Sequence, residues 1–474
     1  MKRLVLATLA LATCAAGAGA QDTRVDALER QLEQIRRDTQ TRVGGDVPAA
    51  QRAFFDYGAY TTTAYLSLED SLGDTHILRQ YEIVPYGRLS FDGAHDLYLR
   101  ARFAYRDFHS GDSFNGDDES FEGELEEAYY RFDLRRHLAA YERRTWENEL
   151  AVTGGRQFAE WATGLTLSQY VDGLNLDAEF GNVGVRLLGG VTVPDTIDFD
   201  TSRPDFDDET LRAFFGGMAN VRFGKHRPFV YALVQRDENE NDPAAVGPIE
   251  TRFGYDSYYL GFGSTGALTD RIAYGAEFVY EGGEGLSSPI DDVTFAPVTQ
   301  TEEDIQAWAA QLTVDYVPDD RFRSRFGVGV ILASGDDDRT RTSDTFNGNR
   351  PGTDDNAFNA LGLLNTGLAF APEISNIVIL RGSTSGYPMP ESGAFREFQC
   401  GVDVLAYGKM VQDAPIDEPT RNDVFLGIEP DLFVNWAILE DVILTARYGV
   451  FFPGEAVPDR DPRQFVYAAI TYSF

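Results

Sequence analysis

The chain ends on a strand. Gln464 to Phe474 reads QFVYAAITYSF, with Val466, Ala468, Ile470, Tyr472 and Phe474 on one face at period two and Tyr467, Ala469, Thr471 and Ser473 on the other. That pattern constrains the whole chain because it recurs upstream. From about Arg52 onward, roughly 18 alternating segments of about ten residues follow one another, separated by Gly, Asp, Asn and Pro clusters. Leu97, Leu99, Phe103 and Tyr105 alternate with Tyr98, Arg100, Arg102 and Arg106. Trp308, Ala310, Leu312, Val314 and Tyr316 alternate with Gln311, Thr313 and Asp315, and Val424, Leu426, Ile428, Leu432, Val434 and Trp436 face away from Glu429, Asp431 and Asn435. One face is apolar; the other is charged.

Alternation alone also fits a soluble sandwich, which buries one face of each sheet and wets the other. The number of segments separates the two, because this many strands closes a barrel wide enough to hold water. The predicted fold is all-β, a transmembrane antiparallel β-barrel of about 18 strands over residues 52–474. Aromatics near segment ends, Phe451 and Phe452, Tyr57, Tyr60 and Tyr65, Tyr255, Tyr258 and Tyr259, are expected to form interfacial girdles. Connections divide into short ones, such as Asp92 to Ala94, Phe180 to Asn182 and Ala437 to Glu440, and long acidic ones at Ser110 to Glu119, Asp195 to Glu209, Glu238 to Ile249, Glu281 to Glu303 and Gly335 to Asn359. Short periplasmic turns and long external loops are the barrel expectation. In those loops Asp336-Asp337-Asp338 and Asp205-Phe206-Asp207-Asp208 lack the spacing of a calcium loop and read as solvated acidic stretches, so no metal is expected.

The amino terminus is organised for export. Lys2 and Arg3 precede an apolar run from Leu4 to Ala12, and Ala18-Gly19-Ala20 before Gln21 is a small-residue cleavage pattern, giving a signal peptide over residues 1–20. Its removal takes Cys14 and leaves Cys400 alone, so no intramolecular disulfide is expected. Val25, Leu28, Leu32 and Ile35 keep an a/d spacing, which predicts an amphipathic coiled-coil helix over 21–43. It reads either as a periplasmic trimerisation stalk, with a homotrimer as the assembly, or as a helix that plugs or lies against the barrel mouth. Val43 to Pro48 breaks the helix, and residues 44–51 serve as a linker.

A formal net charge of −35 argues against nucleic acid as a partner. The five histidines are scattered, and no catalytic, Walker or dinucleotide motif occurs, so neither an enzyme nor a cofactor is expected. Function is sought in charges on the inward faces. Arg100, Arg102 and Arg106 project into the lumen as a ladder, with about 7 Å between successive inward positions. Arg186, Arg212, Arg222, Arg323, Arg325 and Arg447 also alternate with lipid-type residues, and an arginine in the lipid-facing row would cost several kcal/mol. Opposing acids include Glu82, Asp177, Glu277, Asp315, Glu397, Asp403, Glu429 and Asp431, and a turn near Leu439 is expected to set Asp431 opposite Arg447.

Four fragments resemble the alginate-export outer-membrane porin family: Gly155-Arg156-Gln157 followed by Asp172-Gly173; Gly427-x-Glu429-x-Asp431; Tyr448 to Gly454; and the terminal strand. The resemblance implies a barrel with an arginine-lined constriction flanked by acids, through which an anionic polysaccharide leaves the cell, and it makes Arg156, Glu429 and Asp431 lumenal. Val171 and Pro430 depart from the family pattern, and Pro430 is expected to remove a ladder hydrogen bond. The expectation is a passive outer-membrane channel for an anionic solute, an alginate-like polysaccharide or oligosaccharide. Its partners are outer-membrane lipid and the barrel-assembly machinery, which would read Tyr472 and Phe474 as an insertion signal. The alternatives are a trimeric porin for small anions such as phosphate and, from another class, an adhesin or structural barrel.

Overall fold

A computed structural model describes residues 31–32, 34–36, 53–109, 118–194, 196–204, 206–207, 210–239, 242–246, 249–362 and 364–474. The signal segment, the linker, most of the predicted coiled-coil helix, and Asp205 and Asp208 lie outside the described residues. In chain order the strands are β1 (Ala53–Glu69), β2 (Thr75–Phe91), β3 (His95–Phe108), β4 (Glu119–Asp133), β5 (Glu149–Glu160), β6 (Leu167–Phe180), β7 (Val183–Thr192), β8 (Arg212–Val221), β9 (His226–Asp237), β10 (Ala244–Val246), β11 (Ile249–Thr251), β12 (Tyr255–Ala267), β13 (Ile272–Leu286), β14 (Glu302–Tyr316), β15 (Arg325–Ala333), β16 (Leu361–Gly362), β17 (Ile377–Gly386), β18 (Phe398–Lys409), β19 (Phe425–Ala437), β20 (Val442–Pro453) and β21 (Arg463–Ser473). All but β10, β11 and β16 pair with their barrel neighbours in antiparallel order, and β21 returns to β1 from Tyr60↔Ser473 to Leu68↔Phe465. The carboxyl-terminal residue completes the seam, with Phe474 N–H donating to Ala59 O at 2.9 Å and Ala59 N–H to Phe474 O at 2.8 Å. Closure leaves no sheet edge, the condition for a sheet to cross a bilayer.

The expected parity holds over most of the wall. Leu97, Leu99, Phe103, Leu312, Phe326, Val328, Ile470 and Tyr472 stand on the outer surface, and β20 shares the even-numbered outer face of β21, with Tyr448 opposite Val466. Two expectations fail. Leu426 is fully buried inside rather than facing lipid, because the β18–β19 register shifts at Tyr407/Gly408 and Gly427 takes φ +154 beside it. Tyr60, Tyr255, Tyr259 and Phe451 likewise point inward, while Tyr57, Tyr65, Tyr258 and Phe452 are the girdle residues. Pro430 behaves as expected: the β19–β20 ladder runs from Ile428↔Phe452 to Asp431↔Gly449 and skips the residues between.

Short turns gather at the end that carries Phe474 and long loops at the other, the periplasmic and external ends of a barrel. The turn between β4 and β5 is longer and holds the two-turn helix Leu134–Tyr141, capped by Asp133, whose carboxylate accepts from Arg136 N–H at 3.0 Å.

The interior is not simply wet. β4 pairs with β5 only at residues 128–133, and β6 pairs with β7 only from Val171 onward, so residues 157–170 leave the wall as a hairpin bonded to itself. The hinge is a row of glycines. A Cβ at Gly155 would sit 2.2 Å from Ala128 O, and one at Gly173 would sit 2.3 Å from Gly189 O. The hairpin tip crosses the lumen: Thr163 N–H donates to Glu277 Oε2 of β13 at 2.9 Å, and Thr166 meets the Tyr231 hydroxyl of β9 at 2.6 Å. The loop between β15 and β17 also enters, its β16 residues pairing in parallel with Leu167–Ser168. Trp161, Leu165, Leu167, Phe214, Phe358 and Leu405 are buried where these segments meet the wall. At about 1.5–3 kcal/mol per fully buried large apolar side chain, this cluster holds the inward segments in place. The lumen is thus divided into an apolar, filled side along β8–β19 and a charged side along β2–β4.

Candidate functional site

On the charged side β3 and β4 lie antiparallel, with Arg102 opposite Glu124 and Arg106 opposite Ser120. Inward positions of β3 carry Arg100, Arg102 and Arg106, and those of β4 carry Glu122, Glu124, Glu126 and Glu127. Two successive glutamates face in because the register shifts between Arg100 and Ala101, where Glu126 is the extra residue of a bulge. Arg100 Nε donates to Glu126 Oε2 at 2.6 Å, and its Nη2 to Glu127 Oε1 and to the Tyr170 hydroxyl, each at 3.0 Å. Arg102 Nε donates to Glu124 Oε2 at 3.1 Å, and its guanidinium also lies 3.7 Å from Glu82 and 3.6 Å from Glu126. Arg106 Nη1 donates to Glu122 Oε1 at 2.9 Å. From Arg100 to Arg106 the ladder runs about 20 Å along the tilted strand at 3.3 Å per residue, about half of the depth of a bilayer core. The arginine ladder therefore stands as a ladder of ion pairs, and the acids on β4 are its missing half. Their sequence, FEGELEE from Phe121, has the same period-two signal that identified the arginines.

The remaining sequence-derived positions divide by location. Arg186 faces inward and donates to Asp177 Oδ1 at 2.8 Å. Arg447 is inward but sits opposite Phe433, not Asp431, and donates to Asn435 Oδ1 at 2.9 Å; the true partner of Asp431 across the ladder is Gly449. The register is offset by two residues because the β19–β20 turn tightens over 438–441, with Ile438 N–H bonded to Val442 O. Arg156 lies at the glycine hinge and forks onto Asp172 at 2.9 and 2.8 Å, with a third bond to Leu125 O at 3.0 Å. Arg222 and Arg323 are not on the wall: each is half-exposed in a turn at the short-turn end, beside Glu179 and Glu397. Arg325 opens β15 at that same mouth and pairs with Asp315 at 3.0 Å. Arg381, which sequence reasoning passed over, is inward on β17 and paired with Asp403.

Glu429 has a different role. Its carboxylate is fully buried and accepts N–H bonds from Leu368, Ala369 and Phe370 at 2.6, 2.7 and 2.9 Å, with the Tyr407 hydroxyl at 3.3 Å. Glu277 holds Thr163, and Glu281 accepts from Asn359 N–H at 2.8 Å. Inward acids on the filled side are thus anchors for the backbone of inward segments, whose N–H groups would otherwise be buried without partners. Asp431 is 6% exposed, cross-strand to Asp403, and its Oδ1 has no hydrogen-bond partner among the described residues.

The external loops close over this frame. Asp198 receives Arg212 at 2.7 and 3.0 Å, and Asp200 accepts from the Thr345 hydroxyl at 2.6 Å, joining the loop at 193–211 to the one at 334–376. Burial, and then the neighbouring Asp200, push the Asp344 carboxyl up to about 6. In Asp336-Asp337-Asp338 the three carboxylates lie close together, but Asp336 already accepts from Asp338 and Asn356 N–H at 2.8 and 2.7 Å. Between the loops, the inward hairpin and β3–β4 lies a cavity of about 490 Å³, lined by Arg102, Arg106, Glu122, Glu124, Tyr170 and Arg212 among others. That volume is in the range of small-molecule sites.

A closed 18-stranded barrel with an apolar exterior, a charged inner wall and inward-folded loops defines an outer-membrane channel. More specifically, the chain belongs to the alginate export family, whose model matches residues 65–470. No curated protein matches the sequence. Among solved structures the chain is similar in fold to OccK11 (OpdR) of Pseudomonas aeruginosa, with TM-score 0.52, 11% identity, and 91% of this chain and 99% of that one covered. OpdK of Pseudomonas aeruginosa, solved with vanillate, gives TM-score 0.51 at 10% identity over 88% and 98% of the two chains. OccAB3 of Acinetobacter baumannii gives 0.51 at 11% identity over 88% and 99%.

Proposed function

We propose that the protein is a passive channel for an anionic saccharide, an alginate-like polysaccharide or oligosaccharide, which travels along the β3–β4 wall. The observation that carries this reading is the placement of Arg102 and Arg106 on the cavity beside Glu122 and Glu124. A guanidinium offers five N–H donors, and Arg106 reaches the cavity with Nη1 on Glu122, so a uronate carboxylate can compete with that glutamate for it. The exchange keeps every arginine paired at each step, which holds binding weak enough for release. Glutamates between the arginines accept hydrogen bonds from sugar hydroxyls, a pattern suited to a polymer that repeats both groups.

A second reading, a channel for small organic or inorganic anions, is favoured by the inward segments that narrow the lumen and by the fold likeness to OpdK, whose structure holds the carboxylate vanillate. Planar-bilayer recordings separate the two. Uronate oligomers that block current in a length-dependent manner support the saccharide, whereas block by monomeric carboxylates or phosphate alone supports the small anion. Cation selectivity with no block refutes both. We also read Tyr472 and Phe474 as the signal for the barrel-assembly machinery.

A further inference from the structure

Residues 31–32 and 34–36, helical and the only described part of the predicted coiled-coil segment, lie inside the barrel. Leu32 (8% exposed) and Ile35 (3%) join a buried cluster with Leu66, Leu78, Leu368 and Phe465. Gln31 donates its side-chain amide to Leu368 O, a residue of the loop that Glu429 anchors. Arg36 reaches two acids of the inner wall, Nη2 to Glu82 Oε1 and Nη1 to Glu126 Oε1, each at 3.3 Å. These are the carboxylates that also serve the ladder, since Glu126 receives Arg100 and both lie near Arg102. The side chain of Glu126 is 1% exposed and that of Glu82 is 7% exposed, so neither has water enough to compensate for a lost cation.

The consequence is electrostatic as well as steric. Glu82, Glu122, Glu124, Glu126 and Glu127 outnumber Arg100, Arg102 and Arg106 on this wall, and the helix supplies the next guanidinium. We propose that the segment around residues 31–36 is a lumenal plug and that Arg36 is a selectivity-determining residue of the channel, delivered to the β2–β4 wall by that plug. This rests on the reading of β3–β4 as the path of the solute. With Arg36 in place, the wall is near balance and anions pass beside arginines; without this segment, the lumen is wider and the wall carries an excess of carboxylates. The a/d residues Leu32 and Ile35 that look like a coiled-coil seam in the sequence are then the face the plug presents to β1, β2 and β21.

The test uses the full-length protein in planar bilayers, alongside Arg36→Gln, Arg36→Lys and a deletion of residues 22–40, each first checked for a folded barrel by heat-shifted mobility on gels. A helix with its side chains is about 10–12 Å across, so the deletion is expected to raise single-channel conductance about twofold or more and to lower the anion-to-cation permeability ratio. Arg36→Gln should shift the ratio in the same direction, and Arg36→Lys should retain the wild-type ratio. In a Cys400→Ser background, Arg36→Cys with Glu82→Cys should cross-link through a short bismaleimide. Wild-type conductance and selectivity in the folded deletion, or no cross-link, overturn the proposal. Block by uronate oligomers is read separately: if oligomers block the wild type but the Arg36 variants match it, the plug fails and the saccharide reading stands. If the variants behave as expected and no oligomer blocks any form, the reverse holds.

Discussion

Glu429 is the residue whose replacement tests the structural logic of the lumen most sharply. Its carboxylate takes three backbone N–H groups at 2.6–2.9 Å from the inward loop and is fully buried. Hydrogen bonds to a charged acceptor contribute about 1.5–3 kcal/mol each. Glu429→Gln keeps one oxygen and turns an NH₂ group toward donors that the other oxygen had accepted, a loss of about 2–4 kcal/mol in loop docking. Glu429→Ala leaves all three donors without their acceptor, about 3–6 kcal/mol. At 1.4 kcal/mol per factor of ten, even the smaller loss shifts the docking equilibrium by more than tenfold. Single-channel recording should show higher mean conductance with rapid open-channel noise, graded Ala above Gln. Protease added from the external side should cut within residues 334–376 of the folded barrel. Wild-type conductance and a protease-resistant loop in Glu429→Ala would refute the assignment of Glu429 as an anchor.

Other perturbations follow from the same contacts. Replacing Arg100, Arg102 and Arg106 with Gln should reduce anion preference in reversal-potential measurements, and unchanged selectivity would remove the ladder from the conduction path. Arg100→Gln alone strips its ion pair from Glu126, 1% exposed in its side chain, and should lower the temperature of the heat-shifted gel transition, in line with a loss of about 3–5 kcal/mol for a broken buried pair. Gly155→Val places a Cβ 2.2 Å from Ala128 O at φ +122, so little folded barrel should reach the membrane; normal assembly would show that the hinge tolerates a side chain. Asp344, raised to about 6 from 3.8, binds its proton more tightly in the docked loop than in a free one. Docking is then strongest at low pH and weakens as pH rises from about 4 through about 6. Hydrogen exchange near residues 198–203 and 342–346, corrected for intrinsic rate, should be faster at pH 7.5 than at pH 5, and equal protection would contradict this.

The outer surface was legible because lipid enforces it: a strand must alternate, and Leu97, Leu99 and Phe103 leave Arg100 and Arg102 only one direction to face. The inner surface obeys no single rule. Residues Trp161 to Leu167 and Phe358 to Leu364 carry apolar side chains in connections, and sequence alone does not distinguish a loop that folds inward from a girdle or a loose turn. The spacing of Tyr255, Tyr259 and Phe451 suggests the membrane interface for that reason, although they face the inward segments. Alternation points the β3 charges inward, yet their meaning depends on partners three or more strands away in sequence order or across the lumen, such as Tyr170 on Arg100. Glu429 illustrates the limit: alternation points its side chain inward, and only the path of residues 366–370 shows that it holds backbone. The two-residue offset between Asp431 and Arg447 is set by turn geometry, which a hydrophobic pattern does not fix.

The proposed path of an anionic saccharide is the arginine–glutamate wall of β3 and β4. Its most direct measurement is current through the purified protein in planar bilayers with uronate oligomers of increasing length, in the wild type and in the Arg102→Gln/Arg106→Gln double variant. Anion-selective current, block that deepens with oligomer length, and loss of that block in the double variant are expected. Block that is absent, or equal in both proteins, contradicts it.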